Sequence, residues 1–401
     1  MRPPMRPLRI LQIVPSISLV YGGPSQMIRG LSAAIAAQPN ATVTVLTTDA
    51  NGDVDEAPLS VPLGTPVTED GYEVIYFRCA PFRRYKFSIP LLQWLWANAH
   101  RYDIAHIHAL FSPVSTSAAT LCRLKQLPYL MRPLGTLDPA DLAKKKQIKQ
   151  LYAALLEKPN LAGAAAIHFT SDLESKVSER FGVDTPDVVV PLGVSLPDLP
   201  DRAVSKRAIQ QKFNISAGTP ILLFMSRIDP KKGFDLLLPA LSKLYENNIP
   251  FHFLLCGANP QDRRYETQIQ QQIQSAPWSH QASVNGFVSG ALKAQILSAA
   301  DAFVLPSYYE NFGIAVAEAM AAQLPVIISD QVHIWPAIAQ SESGWIVPTE
   351  VDPLAQALTD ALENGEARSQ RGKNAQQCAK DNYSWDAIAQ RLLTIYHRLL
   401  V

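Results

Sequence analysis

The residues with the most chemical content lie in the stretch LPSYYENFGIAVAEAMAAQLPVIISD, residues 305–330. Glu310 falls in a short loop between an apolar run that ends at Pro306 and a helical pattern over residues 312–322 that carries Glu318. A helix start leaves backbone N–H groups free, here those of Asn311, Phe312, Gly313 and Ile314, and adds the positive end of the helix dipole. That combination suits a diphosphate or a sugar hydroxyl, and Gly313 lets a ligand approach closely. At 1.5 Å per residue, Glu310 and Glu318 are separated by roughly 10 Å along the backbone. They could therefore hold opposite ends of one ligand. Alone, the pair would read as ordinary solvated charges; the loop between them is what gives them a chemical meaning.

A second cluster is FMSRIDPKKGFDLLLPAL, with Arg227 and Lys232 as its cations. Fixed positive charges of this kind suit an anionic ligand such as a diphosphate. In the first half of the chain, DIAHIHALFS places His106 and His108 on one face of a strand, because side chains alternate. No third ligand at telling spacing supports zinc there. Asp53 and Asp55 form an Asp-x-Asp in a polar loop after TVTVLTT, and a metal reading is not adopted for them either.

The elements that must position these groups are legible as alternation. The runs LRILQIV, TVTVLTT, EVIYF, DIAHIHA, PYLMRP, AAAIHFT and DVVVPLG recur with helical stretches between them, which signals a parallel sheet covered by helices. A Pro-rich stretch around LGVSLPDLPD marks a boundary. PILLFMSR, FHFLLCG, SVNGFV, DAFVLPS and PVIISD then start a second α/β series. The spacing predicts helices over 234–246 and from Trp385 to the C-terminus, the latter with Ile388, Leu392, Ile395 and Leu399 on one apolar face that needs a surface to pack on. The expected domains are 1–195 with 385–401, and 205–384. Gly257 and the Asn285 to Val288 loop follow strands of the second series, where open α/β sheets bind ligands. LRILQIVPSISLVYGGPSQMIRGLSAAI is a strand, a glycine-bearing loop and a helix, but Gly22-Gly23 does not satisfy GxGxxG, which disfavours a dinucleotide oxidoreductase.

LPSYYENFGIAVAEAMA resembles the E-x7-E signature of the GT-B glycosyltransferases of family 4 type, group 1, and FMSRIDPKKG resembles their G-R-x-x-x-x-K-G segment with Ser226 in place of the first glycine. The resemblance implies a GT-B fold: two Rossmann-like domains facing a central cleft, with a C-terminal helix crossing back to the first. It implies a retaining, metal-independent glycosyltransferase with no cofactor and a nucleoside diphosphate sugar as donor. Glu310 would touch the donor sugar and Glu318 the ribose. The amides of Asn311, Phe312, Gly313 and Ile314 would contact sugar and phosphate, and Gly257 and the loop to Val288 the base. Gly22 and Gly23 match the family's donor-facing loop, and His108 the histidine near the reacting sugar carbon, with His106 structural. PYLMRPLGTLDPADL and AAAIHFTSDLE are similar to a branch that builds bacterial surface polysaccharide, which puts Arg132, Gly135 and His168 on the acceptor side. Gln323 stands where the family usually has glycine, removing the left-handed freedom expected at that helix end.

Bulk properties are consistent with this picture. The chain has 401 residues, too many for one core, with 47% hydrophobic and 18% charged residues and a net charge of +1. That balance argues against nucleic-acid binding and disorder. Four dispersed cysteines (Cys79, Cys122, Cys256, Cys378) fit a reducing cytoplasm. No apolar run reaches the roughly 18 residues needed to span a bilayer, so membrane contact would be peripheral. The basic stretches 82–87 and 143–149 could attract an anionic membrane surface, and with it a lipid-linked glycan acceptor. The rival readings are a sugar-nucleotide epimerase on the same fold and a non-catalytic nucleotide-sugar-binding partner.

Overall fold

A computed structural model describes residues 6–52, 56–81, 83–137, 152–195 and 198–400. Asp53, Asp55 and the basic stretch 143–149 lie outside the described residues, as does Phe82 of the other basic stretch. Contacts divide the chain into two compact units, residues 1–193 with 385–401, and residues 194–384.

The first unit holds an eight-stranded sheet in the order β3-β4-β2-β1-β5-β6-β7-β8. Its strands are β1 (Leu8–Ile13), β2 (Ala41–Thr48), β3 (Pro66–Glu69), β4 (Tyr72–Phe77), β5 (Ile104–His108), β6 (Tyr129–Arg132), β7 (Ala166–Phe169) and β8 (Asp187–Val189). All pairings are parallel except that of β3 with β4. Parallel strands are buried on both faces, and β5, β6 and β7 are buried at every position. One face carries Ile10, Ile104 and Leu130 against the helix Gly23–Ala36 and the C-terminal helix Trp385–Leu399. The C-terminal helix buries Ile388, Leu392, Ile395 and Tyr396 there. It enters through Trp385, whose ring fills the space a Cβ would need at Gly30 and Gly193, 2.4 and 2.1 Å from the nearest ring atoms.

The second unit holds a six-stranded parallel sheet in the order β11-β10-β9-β12-β13-β14. Its strands are β9 (Ile221–Met225), β10 (His252–Cys256), β11 (Ala282–Gly286), β12 (Ala302–Leu305), β13 (Val326–Ser329) and β14 (Gly344–Val347). Counted within the unit the order is 3-2-1-4-5-6, that of a dinucleotide-binding sheet, and the chain reverses its direction of travel between β9 and β12. Ligands bind at the carboxyl ends of strands at such a reversal. The loops after β9 and β12 are those carrying Arg227, Lys232 and Glu310.

Two local departures from expectation have clear causes. The helix expected over 312–322 spans Ile314–Ala321, because Gly313 at φ 80°, ψ 62° is left-handed and ends the non-helical loop. Gln323, despite its Cβ, takes the left-handed conformation at φ 63° that a glycine would supply. A left-handed non-glycine residue costs roughly 1–2 kcal/mol, and Gln323 is exposed. Gln323→Gly is therefore expected to raise the melting temperature by a few degrees in calorimetry; an unchanged or lower transition would show that the side chain compensates.

Candidate active site

The Glu310 loop of the second unit is built on backbone pairing before any side chain is placed. Glu310 N–H donates to Gln331 O at 3.1 Å and its carbonyl accepts from His333 N–H at 3.0 Å. The Ser329 hydroxyl donates to Ser307 O at 2.5 Å, and Tyr308 N–H donates to Lys231 O at 2.8 Å. The loops after β9, β12 and β13 are thus one stitched surface. Phe312 anchors it from below, 3% exposed and edge-on to Tyr383 at 5.4 Å.

On that surface Lys232 Nζ forms an ion pair with Glu310 Oε2. Their side chains are 12% and 22% exposed, which strengthens the attraction beyond that of a surface pair. Gly233, at φ 72°, follows Lys232 and lies so close to Pro306 that a Cβ would stand 2.1 Å from its carbonyl oxygen. Close approach of the β9 and β12 loops brings the pair together. Gly257 serves the same purpose between β9 and β10, its Cβ position 1.9 Å from Ser226 O.

Gly313 is the N-cap of the helix Ile314–Ala321. The first N–H groups to bond back are those of Val316 and Ala317, both to Gly313 O. The amides ahead of them belong to the orphan set that every helix start presents. Asn311 Oδ1 and Ser307 Oγ are enclosed with no hydrogen-bond partner among the described residues, and a buried orphan acceptor costs about 1–3 kcal/mol. Glu318, in the second turn, pairs with Lys293 Nζ at 2.6 Å, a partner that local spacing does not reveal. Arg227 stands apart: its side chain is 52% exposed, 3.9 Å from Asp229, and it donates to Gln261 at 3.2 Å. Val288 is buried, 6% exposed.

In the first unit Gly22, at φ 68°, caps the helix that begins at Gly23 after β1. Gly135, at φ 77°, sits in the turn after β6. The histidines and Arg132 are together: His106 and His108 ring centroids are 4.3 Å apart, His106 and His168 5.1 Å. His108 shares the β5/β6 register with Arg132. All four are buried, none more than 2% exposed. Burial, with Arg132 and His168 adding to it, holds His108 well below the usual histidine range. His168 is pushed down to about 3 by burial and by Arg132. Burial likewise lowers Arg132 to about 10. The imidazoles are therefore neutral at pH 7. Among the described residues no group of three or more His, Cys, Asp or Glu is placed to hold a metal ion, and no helix is long and apolar enough to cross a membrane.

Residues 205–378 match the family model of glycosyl transferases group 1. Residues 22–193 match that of the glycosyl transferase 4-like domain. The chain is 29% identical over 188 residues to an uncharacterized glycosyltransferase of Methanocaldococcus jannaschii, covering 47% of each chain. It thus spans about half the length of that relative. It is 26% identical over 313 residues to a D-inositol 3-phosphate glycosyltransferase of Xylanimonas cellulosilytica, covering 75% of this chain and 74% of the relative. The solved structure of Anabaena HepE in complex with UDP-glucose superposes with a TM-score of 0.70 at 18% identity, over 98% of this chain and 100% of that one. With both halves of the chain matched and the two α/β sheets in place, the protein belongs to the group 1 glycosyltransferases of GT-B fold.

Proposed function

We propose that the protein transfers a glycosyl group from a nucleoside diphosphate sugar to a hydroxyl of a glycan or lipid-linked glycan, with retained anomeric configuration and without metal, in polysaccharide biosynthesis. The observation that carries this reading is the Lys232–Glu310 pair held at the β9/β12 reversal beside the helix start at Gly313. Lys232 and the amides of Asn311 to Ile314 supply positive potential where a diphosphate gains charge. Arg227, more exposed, adds to it from the rim. Glu310 accepts from sugar hydroxyls, and Glu318, oriented by Lys293, accepts from the ribose. A nucleotide-sugar donor also agrees with the UDP-glucose that HepE binds.

The C1–O bond to the leaving phosphate breaks, the bond from C1 to the acceptor oxygen forms on the same face, and the acceptor's proton passes to the departing phosphate oxygen. Glu310 is engaged by Lys232, which suits a stabilising role rather than nucleophilic attack. The test is a panel of UDP-, GDP- and ADP-sugars scored by thermal stabilisation and by transfer or hydrolysis, repeated for Glu310→Ala. One donor should stabilise the wild type and be consumed only slowly by the variant. Equal binding and turnover in the variant would sink the assignment, and acceptor-free conversion of the donor to an isomer would replace it by epimerisation.

For a lipid-linked acceptor the relevant surface is an apolar cavity of about 700 Å³ in the first unit, lined by Ile89, Leu92, Trp96, Leu121, Tyr152 and Leu156. Lys125 lies over the half-exposed Trp96 ring at 3.6 Å. An apolar face with a cation, Lys125, at its edge suits an anionic lipid surface. Sedimentation with anionic vesicles should show binding that weakens with salt and drops in Trp96→Ser; binding equal in wild type and variant would reject this face.

A further inference from the structure

We propose that Tyr396 of the C-terminal helix is a positioning residue for His108, fixing through Gln12 which of its two ring nitrogens carries the proton. The inference rests on the reading that His108 serves glycosyl transfer.

The direction of every hydrogen bond in the chain follows from its two ends. Val190 O can only accept, so His168 Nε2, at 2.9 Å, must donate to it. A neutral imidazole has one N–H, so His168 Nδ1 is an acceptor and His106 Nε2, 3.1 Å away, donates to it. His106 Nδ1 is then bare and takes the Tyr396 hydroxyl proton at 2.7 Å. The Tyr396 oxygen, having donated, accepts from Gln12 Nε2 at 3.5 Å. That turns Gln12 Oε1 toward His108 Nε2, at 2.6 Å. An amide oxygen only accepts, so His108 carries its proton on Nε2 and Nδ1 is left as a lone pair. The Gln12 amide orientation thus follows from the Val190 carbonyl at the far end of the chain of bonds.

Two further observations make this more than a satisfied core. His108 Nδ1 is enclosed and has no hydrogen-bond partner among the described residues, and the same holds for Nε and Nη2 of its register partner Arg132. The chain of bonds thus ends on an unused acceptor, with two unused donors on the register partner, and a hydroxyl can both donate and accept. Burial, with Arg132 adding to it, disfavours protonation of His106, His108 and His168, so each ring carries a single proton. His108 therefore presents a lone pair, and what fixes it is a residue 288 positions later on a different element (396 − 108).

The test is long-range ¹⁵N–¹H NMR of the histidine rings in the full chain, with His108 assigned from the loss of its signals in His108→Asn. Wild type should show a pyridine-like Nδ1 and a pyrrole-like Nε2 at His108. Tyr396→Phe removes the proton given to His106 and frees Gln12 to turn over, so His108 should become a mixture of tautomers. Turnover should fall about 10-fold or more, as when a hydrogen-bond partner that orients a reacting side chain is lost, with the donor KM within about twofold. Gln12→Leu breaks the same chain one step nearer and keeps the test in hand if Tyr396→Phe does not fold. An unchanged His108 signature in folded Tyr396→Phe and Gln12→Leu overturns the proposal, as does a bare Nε2 in the wild type. A changed tautomer with unchanged transfer leaves the relay standing and removes His108 from the reaction. Absence of transfer from any nucleotide sugar counts against the proposed function while the NMR signature still decides the relay.

Discussion

Lys232→Ala is expected to lower kcat for glycosyl transfer about 10²- to 10³-fold, the range found when one preorganised group facing transition-state charge is removed. The charge on a departing diphosphate grows as its bond to the sugar stretches, so a cation fixed beside it acts more strongly in the transition state than in the ground state. Lys232 is fixed on three counts: its side chain is 12% exposed, it is engaged by Glu310, and the preceding residue is tied to the β12 loop by the bond from Tyr308 N–H to Lys231 O. Arg227, half exposed and shared with Asp229 and Gln261, should matter less, about 10-fold on alanine substitution by the same electrostatic argument. Lys232→Arg should not restore the rate, because the planar fork does not replace a compact ammonium in a closely packed loop. Steady-state kinetics at saturating acceptor separates the possibilities. A raised KM with kcat unchanged would mean that Lys232 binds ground state and transition state equally, and the proposed role would be lost.

Much of this site was legible in the sequence because its parts are local. The parity of β5 put His106 and His108 on one face, and their rings are 4.3 Å apart. The runs in the second half became parallel strands whose order places Lys232 and Glu310 at the β9/β12 reversal. What stayed hidden was set by distant contacts. Lys293 reaches Glu318 from another helix, and Tyr396 reaches Gln12 and His106 across 384 and 290 residues. No spacing rule encodes such pairs. β3 and β14 were missed for a different reason: each has four residues, β3 is partly exposed and begins at a proline, and β14 begins at a glycine, so neither offers a continuous apolar run. At Gln323 residue identity misled, since the tertiary context imposes φ 63° on a side chain that disfavours it.

The second large effect is expected at a residue with no functional group. Gly233→Ala should destabilise the second unit by roughly 2–4 kcal/mol, the range of core overpacking combined with a wrong backbone conformation. The left-handed φ of 72° accounts for roughly 1–2 kcal/mol of this. The rest comes from contact: a methyl at this position would stand 2.1 Å from the Pro306 carbonyl oxygen and 3.0 Å from its carbon. Those are backbone atoms at the end of β12, which cannot swing aside as a flexible side chain would. Relief requires the β9 loop to lift from the β12 loop, and that motion would part Lys232 from Glu310 and break the Tyr308–Lys231 bond. Gly233→Ala should therefore combine a lower melting temperature with a loss of transfer approaching that of Lys232→Ala, in protein that remains folded at 20 °C. Gly218→Ala is the control: it shares the positive φ, 82°, yet its Cβ would meet nothing within 4 Å. It should cost only the conformational increment and leave turnover at the wild-type level. If both variants lose activity equally, backbone strain rather than the approach of the two loops is what holds Lys232 in place.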